Sequence, residues 1–209
     1  MAVKERNTLL APGVKNLDLV GFTDQTYHDF LKTVPHMDGE APYEYRMREL
    51  FYLNIKWFMS TLLTRNDRMS MANGLEVRVP FADYRLVQYA FNIPSEFKFC
   101  DNREKGILRR ASRGILPKSI VDRKKSPYPK THNPEYTKIL QDWMNKILED
   151  KNAPILQIID KDMLTELVQT GGASYKKPWF GQLMRGPQLI AYLVQLELWL
   201  TEYNIQLEL

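Results

Sequence analysis

The sequence predicts a mainly helical fold, and three observations carry that expectation. At least six stretches repeat apolar residues at helical spacing. The longest stretch that alternates with a period of two is Leu75 to Val79. There is no clear strand–helix–strand unit, so a self-contained nucleotide-binding sheet is not expected. The 209 residues are enough for one domain with a sizeable core, and a single domain over 1–209 is expected.

Taken in order, Met1 to Gly21 carries Pro12, Gly13 and Gly21 as breakers and reads as an irregular arm that must lie against something. A helix is expected from Phe22, capped by Thr23 or Asp24, with Tyr27, Phe30, Leu31 and Val34 on one stripe and Pro35 as its end. Tyr43 to Leu63 has the strongest pattern. Its apolar residues cover most sides, which predicts a buried helix at the centre of the fold. Asn66 is expected to cap a turn starting at Asp67, and Gly74 to end it. Leu75 to Val79 is then an extended strip, and Asp83 an N-cap for a helix running to Ile93.

Glu104 to Arg113 reads as a short basic helix ended by Gly114 and Pro117, with a single turn at Ser119 to Val121. Ser126 to Pro134 holds three prolines and is expected as an extended loop. Pro134 to Glu149, Asp160 to Thr170 and Pro187 to Tyr203 are the remaining helices. Gly171-Gly172 stops the second, and Trp179 to Gly186 connects to the third.

Hydrophobic residues are 44% and charged residues 26%, as in an ordinary globular protein. The lone Cys100 excludes an internal disulfide framework and fits a reducing compartment. Met1 to Leu9 is charged and lacks an apolar segment, so no signal peptide is expected. The apolar run near Leu189 to Leu200 is too short for a membrane span and is interrupted by Gln195 and Glu197. A cytoplasmic setting without a membrane partner is expected. His28, His36 and His132 have no metal-ligand spacing, so no metal site is expected.

Charge is uneven along the chain. Between Arg103 and Lys130 there are ten Lys or Arg against two acids, while the whole chain is only +4, so the remainder is net acidic. A basic segment of this kind suits an anionic partner, or it is a solvated surface. A second charged stretch interleaves Arg65, Asp67, Arg68, Glu76, Arg78, Asp83 and Arg85 with Met69, Met71, Leu75, Val77, Val79 and Phe81. Charges in so apolar a setting need partners. They form either a structural ion network or the polar wall of a cleft.

The run Asp67-Arg68-Met69-Ser70-Met71-Ala72-x-Gly74-x-Glu76-x-Arg78-x-Pro80-Phe81-x-Asp83 resembles the signature of the synthetase domain of glutamine-dependent asparagine synthetases. The resemblance continues in Glu104-Lys105-Gly106-Ile107-Leu108-Arg109-Arg110, similar to that family's Lys-x-x-Leu-Arg segment, and in Arg123-Lys124-Lys125-Ser126-Pro127-Tyr128-Pro129. It covers nearly the whole chain but only the C-terminal part of a family member. The implied fold is the helical C-terminal part of an ATP-pyrophosphatase-type (adenine-nucleotide α-hydrolase-like) synthetase domain, without its phosphate-loop sheet.

The resemblance implies a ligase that activates aspartate with ATP and Mg²⁺ as an acyl-adenylate and attacks it with ammonia from glutamine. It makes Lys105 the catalytic candidate, beside the alternative of an ordinary solvated lysine next to Glu104. Arg68, Glu76 and Arg78 become candidates for the aspartate pocket, and Arg109, Lys124 and Lys125 candidates for phosphate contacts. The family's Ser-Gly-Gly-x-Asp-Ser and Ser-Gly-Glu-Gly loops do not occur in these 209 residues, nor does a glutaminase domain with an N-terminal cysteine. The chain is therefore expected to need those N-terminal segments as partners, to be inactive alone, to bind no cofactor alone, and to self-associate weakly through exposed apolar surface. The rival expectation is a basic helical nucleic-acid-binding or scaffold module. Against nucleic acid, the basic segment has no helix-turn-helix pattern, zinc spacing or aromatic platform.

Overall fold

A computed structural model describes residues 7–126, 133–175 and 186–208. The Pro127–Pro129 segment, His132 and most of the Trp179–Gly186 connector lie outside them. The fold is mainly helical, and among the described residues β-structure is limited to isolated bridges. The chain divides into two compact units, residues 1–26 with 127–209, and residues 27–126.

In the first unit the arm is more regular than expected. A 3₁₀ turn spans Asn7–Leu9 and α1 spans Pro12–Lys15, where Pro12 supplies a preset φ at the start of the helix. The arm lies against the segment after residue 157. Ala11 N–H donates to the Ile158 carbonyl at 2.8 Å, and Asp160 N–H to the Leu9 carbonyl at 2.8 Å. Helix α2, Leu19–Leu31, begins three residues before the expected Phe22, because Asp18 rather than Thr23 or Asp24 accepts the Gly21 N–H, at 2.8 Å.

The core of this unit is built by three helices whose starts were visible in the sequence. In α9, Pro134–Glu149, Asn133 accepts the Glu135 N–H, and Leu140, Met144 and Leu148 fall four apart on one buried stripe. In α10, Lys161–Gln169, Asp160 accepts the N–H groups of Asp162 and Met163, and Leu164, Leu167 and Val168 are buried. In α11, Pro187–Glu202, Leu189, Ile190, Leu193, Val194 and Leu200 are buried. Its other side is not: Tyr192, Leu198 and Trp199 are exposed. Gly171 and Gly172 end α10 at φ +57° and +81°, and a Cβ on Gly172 would meet Gly186 Cα at 2.3 Å. Buried Glu197 accepts from Ile155 N–H at 2.8 Å, one of the donors that the start of the 3₁₀ turn Pro154–Gln157 leaves without a partner in its own turn.

In the second unit the helical run extends further than expected, from α3 (Pro42–Leu53) through a π-helical segment (Asn54–Met59) into α4 (Ser60–Met71). Asn66 and Asp67 lie inside α4, so the expected cap at Asn66 does not form; its carbonyl accepts from Ser70 Oγ at 2.7 Å. Gly74 ends the run at φ +69° as expected. The burial of Tyr43–Leu63 is not as expected. Glu49 is the buried residue of α3, the π segment and α4 bury none, and Tyr43 and Phe58 are 60% and 56% exposed. One side is covered, by rings: Phe30 meets Tyr52 and Trp57, Phe99 meets Phe51, and Phe91 meets Tyr52. A helix apolar all round needs neighbours all round, and within this unit only that side has them.

Leu75–Val79 has no regular structure and pairs with no strand among the described residues, and every residue from Met71 to Phe81 is exposed. Asp83 caps α5, Tyr84–Asn92, by accepting the Arg85 N–H at 2.9 Å. A short helix α6, Ser95–Lys98, follows, and its first N–H is satisfied by the Glu44 carboxylate. Helix α7, Gly106–Ala111, is the core of the expected basic helix, and α8, Lys118–Val121, is the expected single turn.

Candidate functional site

The site begins in the turn between α6 and α7. Asp101, Asn102 and Lys105 all have left-handed φ, at 64°, 51° and 58°. Such conformations are costly outside glycine and persist only where the surroundings impose them. Here the surroundings are identifiable. The Asp101 carboxylate accepts from Arg110 at 2.6 Å and from Arg113 at 3.3 Å. Arg103 donates to the Asp122 carbonyl at 2.9 Å and pairs with its carboxylate. Gly106 is buried against Cys100, and a Cβ there would meet the Cys100 carbonyl oxygen at 2.3 Å, so α7 can start this close only with glycine.

Arg109 closes the arrangement. Its backbone N–H donates to the Lys105 carbonyl at 2.9 Å. Its Nε donates to the Glu104 carbonyl at 3.0 Å, one Nη donates to Glu104 Oε1 at 2.7 Å, and the other Nη donates to the carbonyl of Val121 at the end of α8. The side chain is only 15% exposed. Beyond Val121 the chain runs without regular structure through Arg123 to Ser126. A cavity of about 320 Å³ lies between these segments, with Lys105, Lys124 and Lys125 on its wall and Leu108 and Ile120 among its apolar lining.

The electrostatics separate two kinds of cation. The arginines of the basic segment are largely matched by its own acids. Glu104 is held below the usual carboxylate range by its own backbone N–H and by the nearby Arg109, against some burial. The hydrogen bond from Arg110 does the same for Asp101. The lysines are different. Lys105, Lys124 and Lys125 are exposed, and their side-chain ammonium groups form no hydrogen bond or ion pair among the described residues. Three uncompensated ammonium groups around one cavity suit a phosphate-bearing anion. Among the described residues no three His, Cys, Asp or Glu gather in a metal-binding group, so metal ligation is not assigned to them.

Of the residues singled out in the sequence, Lys105, Arg109, Lys124 and Lys125 therefore line one cavity. Arg68, Glu76 and Arg78 are not on its wall. Arg68 is exposed on α4, and Arg78 pairs with Glu76 at 3.1 Å with both side chains largely in solvent. Sequence reasoning missed Glu104 and the Val121 carbonyl as partners of Arg109. The acid five residues before Arg109 was the only available signal, and the Val121 carbonyl left none.

The family model described as Asparagine synthase matches residues 3–201. "Asparagine synthetase [glutamine-hydrolyzing] 3" of Bacillus subtilis (strain 168) is 51% identical over 208 residues, 99% of this chain and 34% of that protein. "Asparagine synthetase [glutamine-hydrolyzing] 1" of the same organism is 30% identical over 69% of this chain and 22% of its own length. The Cricetulus griseus asparagine synthetase is 31% identical over 61% and 22% respectively. The chain thus spans about a third or less of the relatives it matches. A match over residues 3–201 shows that this chain belongs to the asparagine synthase family.

Proposed function

We propose that the chain forms part of a glutamine-hydrolysing asparagine synthetase. The reaction is conversion of ATP, aspartate and glutamine to AMP, pyrophosphate, asparagine and glutamate through an aspartyl-adenylate. The observation that carries the proposal is the convergence of Lys105, Lys124 and Lys125, unpaired among the described residues, on one cavity. Cations fixed before the reaction stabilise charge that develops on a leaving pyrophosphate without having to reorganise. Lys105 is the proposed catalytic residue, with Lys124 and Lys125 as phosphate neighbours. Arg68 and the Glu76–Arg78 pair are proposed to frame the aspartate pocket, which their exposure leaves them free to do.

The 209 residues contain no Ser-Gly-Gly-x-Asp-Ser loop, so the phosphate cradle, and with it Mg²⁺, is proposed to come from a partner segment. Ammonia would come from a glutaminase segment, and the setting is proposed to be the cytoplasm. Taken alone, the chain should therefore release no pyrophosphate from ATP and aspartate. In a complete synthetase carrying this sequence, Lys105→Ala should lower aspartate-dependent AMP formation by about 10²-fold or more, as loss of one transition-state donor does. Glutamine hydrolysis should survive. Near-normal asparagine output from that variant would make Lys105 a solvated surface lysine.

A further inference from the structure

We propose that Arg109 is a positioning residue: it clamps the Glu104–Lys105 turn to the end of α8, and so fixes Lys105 relative to Lys124 and Lys125, without gripping phosphate itself. This rests on the role given to Lys105 above. The sequence suggested a phosphate contact for Arg109, and its chemistry would allow one. The geometry points elsewhere. All three of its nitrogens already donate, to the Glu104 carbonyl, the Glu104 carboxylate and the Val121 carbonyl. It is the least exposed cation of the cluster, at 15%.

Those three acceptors lie on the two segments that carry the lysines. Glu104 precedes Lys105, whose left-handed backbone needs outside support, and Val121 precedes the irregular segment that carries Lys124 and Lys125. A guanidinium presents its donors in a fixed fork, so one side chain can set the distance between two backbone segments; a lysine ammonium cannot copy that geometry. Misplacing a catalytic group by about 1 Å can cost on the order of 10²-fold in rate. Loosening the clamp should therefore have a large kinetic effect although it touches no reactant.

The test is a double-mutant cycle in the complete synthetase. Arg109→Lys keeps the charge and loses the fork. It should lower kcat for aspartate-dependent AMP formation by about 10-fold or more while KM for ATP stays within about twofold. In the Lys105→Ala background the same change should cost less than about twofold, because the group it positions is gone. Glu104→Gln removes one arm of the clamp at a half-exposed side chain and should show a smaller kcat loss with the same non-additivity; it decides the matter if Arg109→Lys does not fold. Additive losses, or a raised KM for ATP at unchanged kcat, would overturn the proposal and make Arg109 a phosphate ligand. A Lys105→Ala enzyme with full activity would instead remove the reading of Lys105 on which the clamp depends.

Discussion

Two helical regions that read alike in the sequence end up in opposite states. Pro187–Glu202 and Tyr43–Leu63 are both apolar on most sides. In the first, Leu189, Ile190, Leu193, Val194 and Leu200 are each 3% exposed or less, against Leu140, Met144, Leu164 and Leu167 of the neighbouring helices. In the second, no apolar side chain is fully buried, and Phe58 stands 56% exposed. The difference lies in what surrounds them. The 134–202 region closes three amphipathic faces on one another, a solution available to the segment by itself. The 42–93 region has ring contacts on one side and ion pairs at its ends, among them Glu40 with Arg48 at 2.7 Å and Arg46 with Glu49 at 2.7 Å. Apolar composition measures how much burial a helix can use, and the rest of the chain decides how much it receives.

The contrast can be broken or sharpened by experiment. The largest effect is expected in the closed core. Leu167→Ala, at a fully buried position, should destabilise the 134–202 helices by about 2–5 kcal/mol. Urea titration read by hydrogen exchange on peptides from those helices measures it, and a loss under about 1 kcal/mol would mean the core is looser than its burial indicates. Next, Glu197→Ala should cost about 1–3 kcal/mol in the same assay, since it strands the buried Ile155 N–H. An unchanged midpoint would show that another acceptor takes over.

A weaker effect should appear with acid in the 27–126 region. Burial opposes the charge on Glu40, but hydrogen bonds from Arg48 and His36 outweigh it; Asp83 is held down chiefly by its bond from Arg85, and Asp101 by Arg110. A carboxyl whose folded pKa lies below its unfolded value stabilises the fold above the unfolded value, about 4, and that contribution is lost as pH falls through the lowered one. Exchange in 27–126 should therefore rise as pH drops below about 4 after correction for intrinsic rates, and the rise should shrink in Glu40→Gln. A profile identical in wild type and variant would remove Glu40 from the account. The smallest effect belongs to the open apolar face. Tyr89→Ser, at a ring 69% exposed, should change the stability of this chain by no more than about 0.5 kcal/mol. A larger loss would show that the face is covered in solution, by self-association for instance, which sedimentation would detect.

What could be read from the sequence follows the range of the forces involved. Helix starts at Asp83, Pro134, Asp160 and Pro187 were legible because capping and proline act within a few residues. The stop at Gly171-Gly172 was legible for the same reason. The cap at Asn66 was misread because an asparagine that suits a cap also sits inside a long helix when the residues on both sides carry it through. The exposure of Tyr43–Leu63 was not legible at all, since it depends on distant segments. At the site, the basic segment was legible in the charge count, and the particular lysines stood out only through the resemblance of their segments to those of the family. The left-handed backbone of Lys105, the tight approach of Gly106 to Cys100, and the commitment of Arg109 to Val121 are tertiary facts, and a lysine or arginine in the sequence carries no mark of them.

The wide turn at Asn54–Met59 bears on how such a chain can change. Relative to α-helix it takes up an additional residue, and each residue of an α-helix is worth about 100° of rotation. A one-residue deletion there could be absorbed by closing the turn to ordinary α pitch. The helix would survive, and Ser60 to Met71 would keep nearly the same faces, Arg68 included, whereas the same deletion in regular α-helix turns everything beyond it by about 100°. The wide turn is therefore a place where a single-codon deletion can be tolerated without redirecting Arg68, and one a few residues further on would not be.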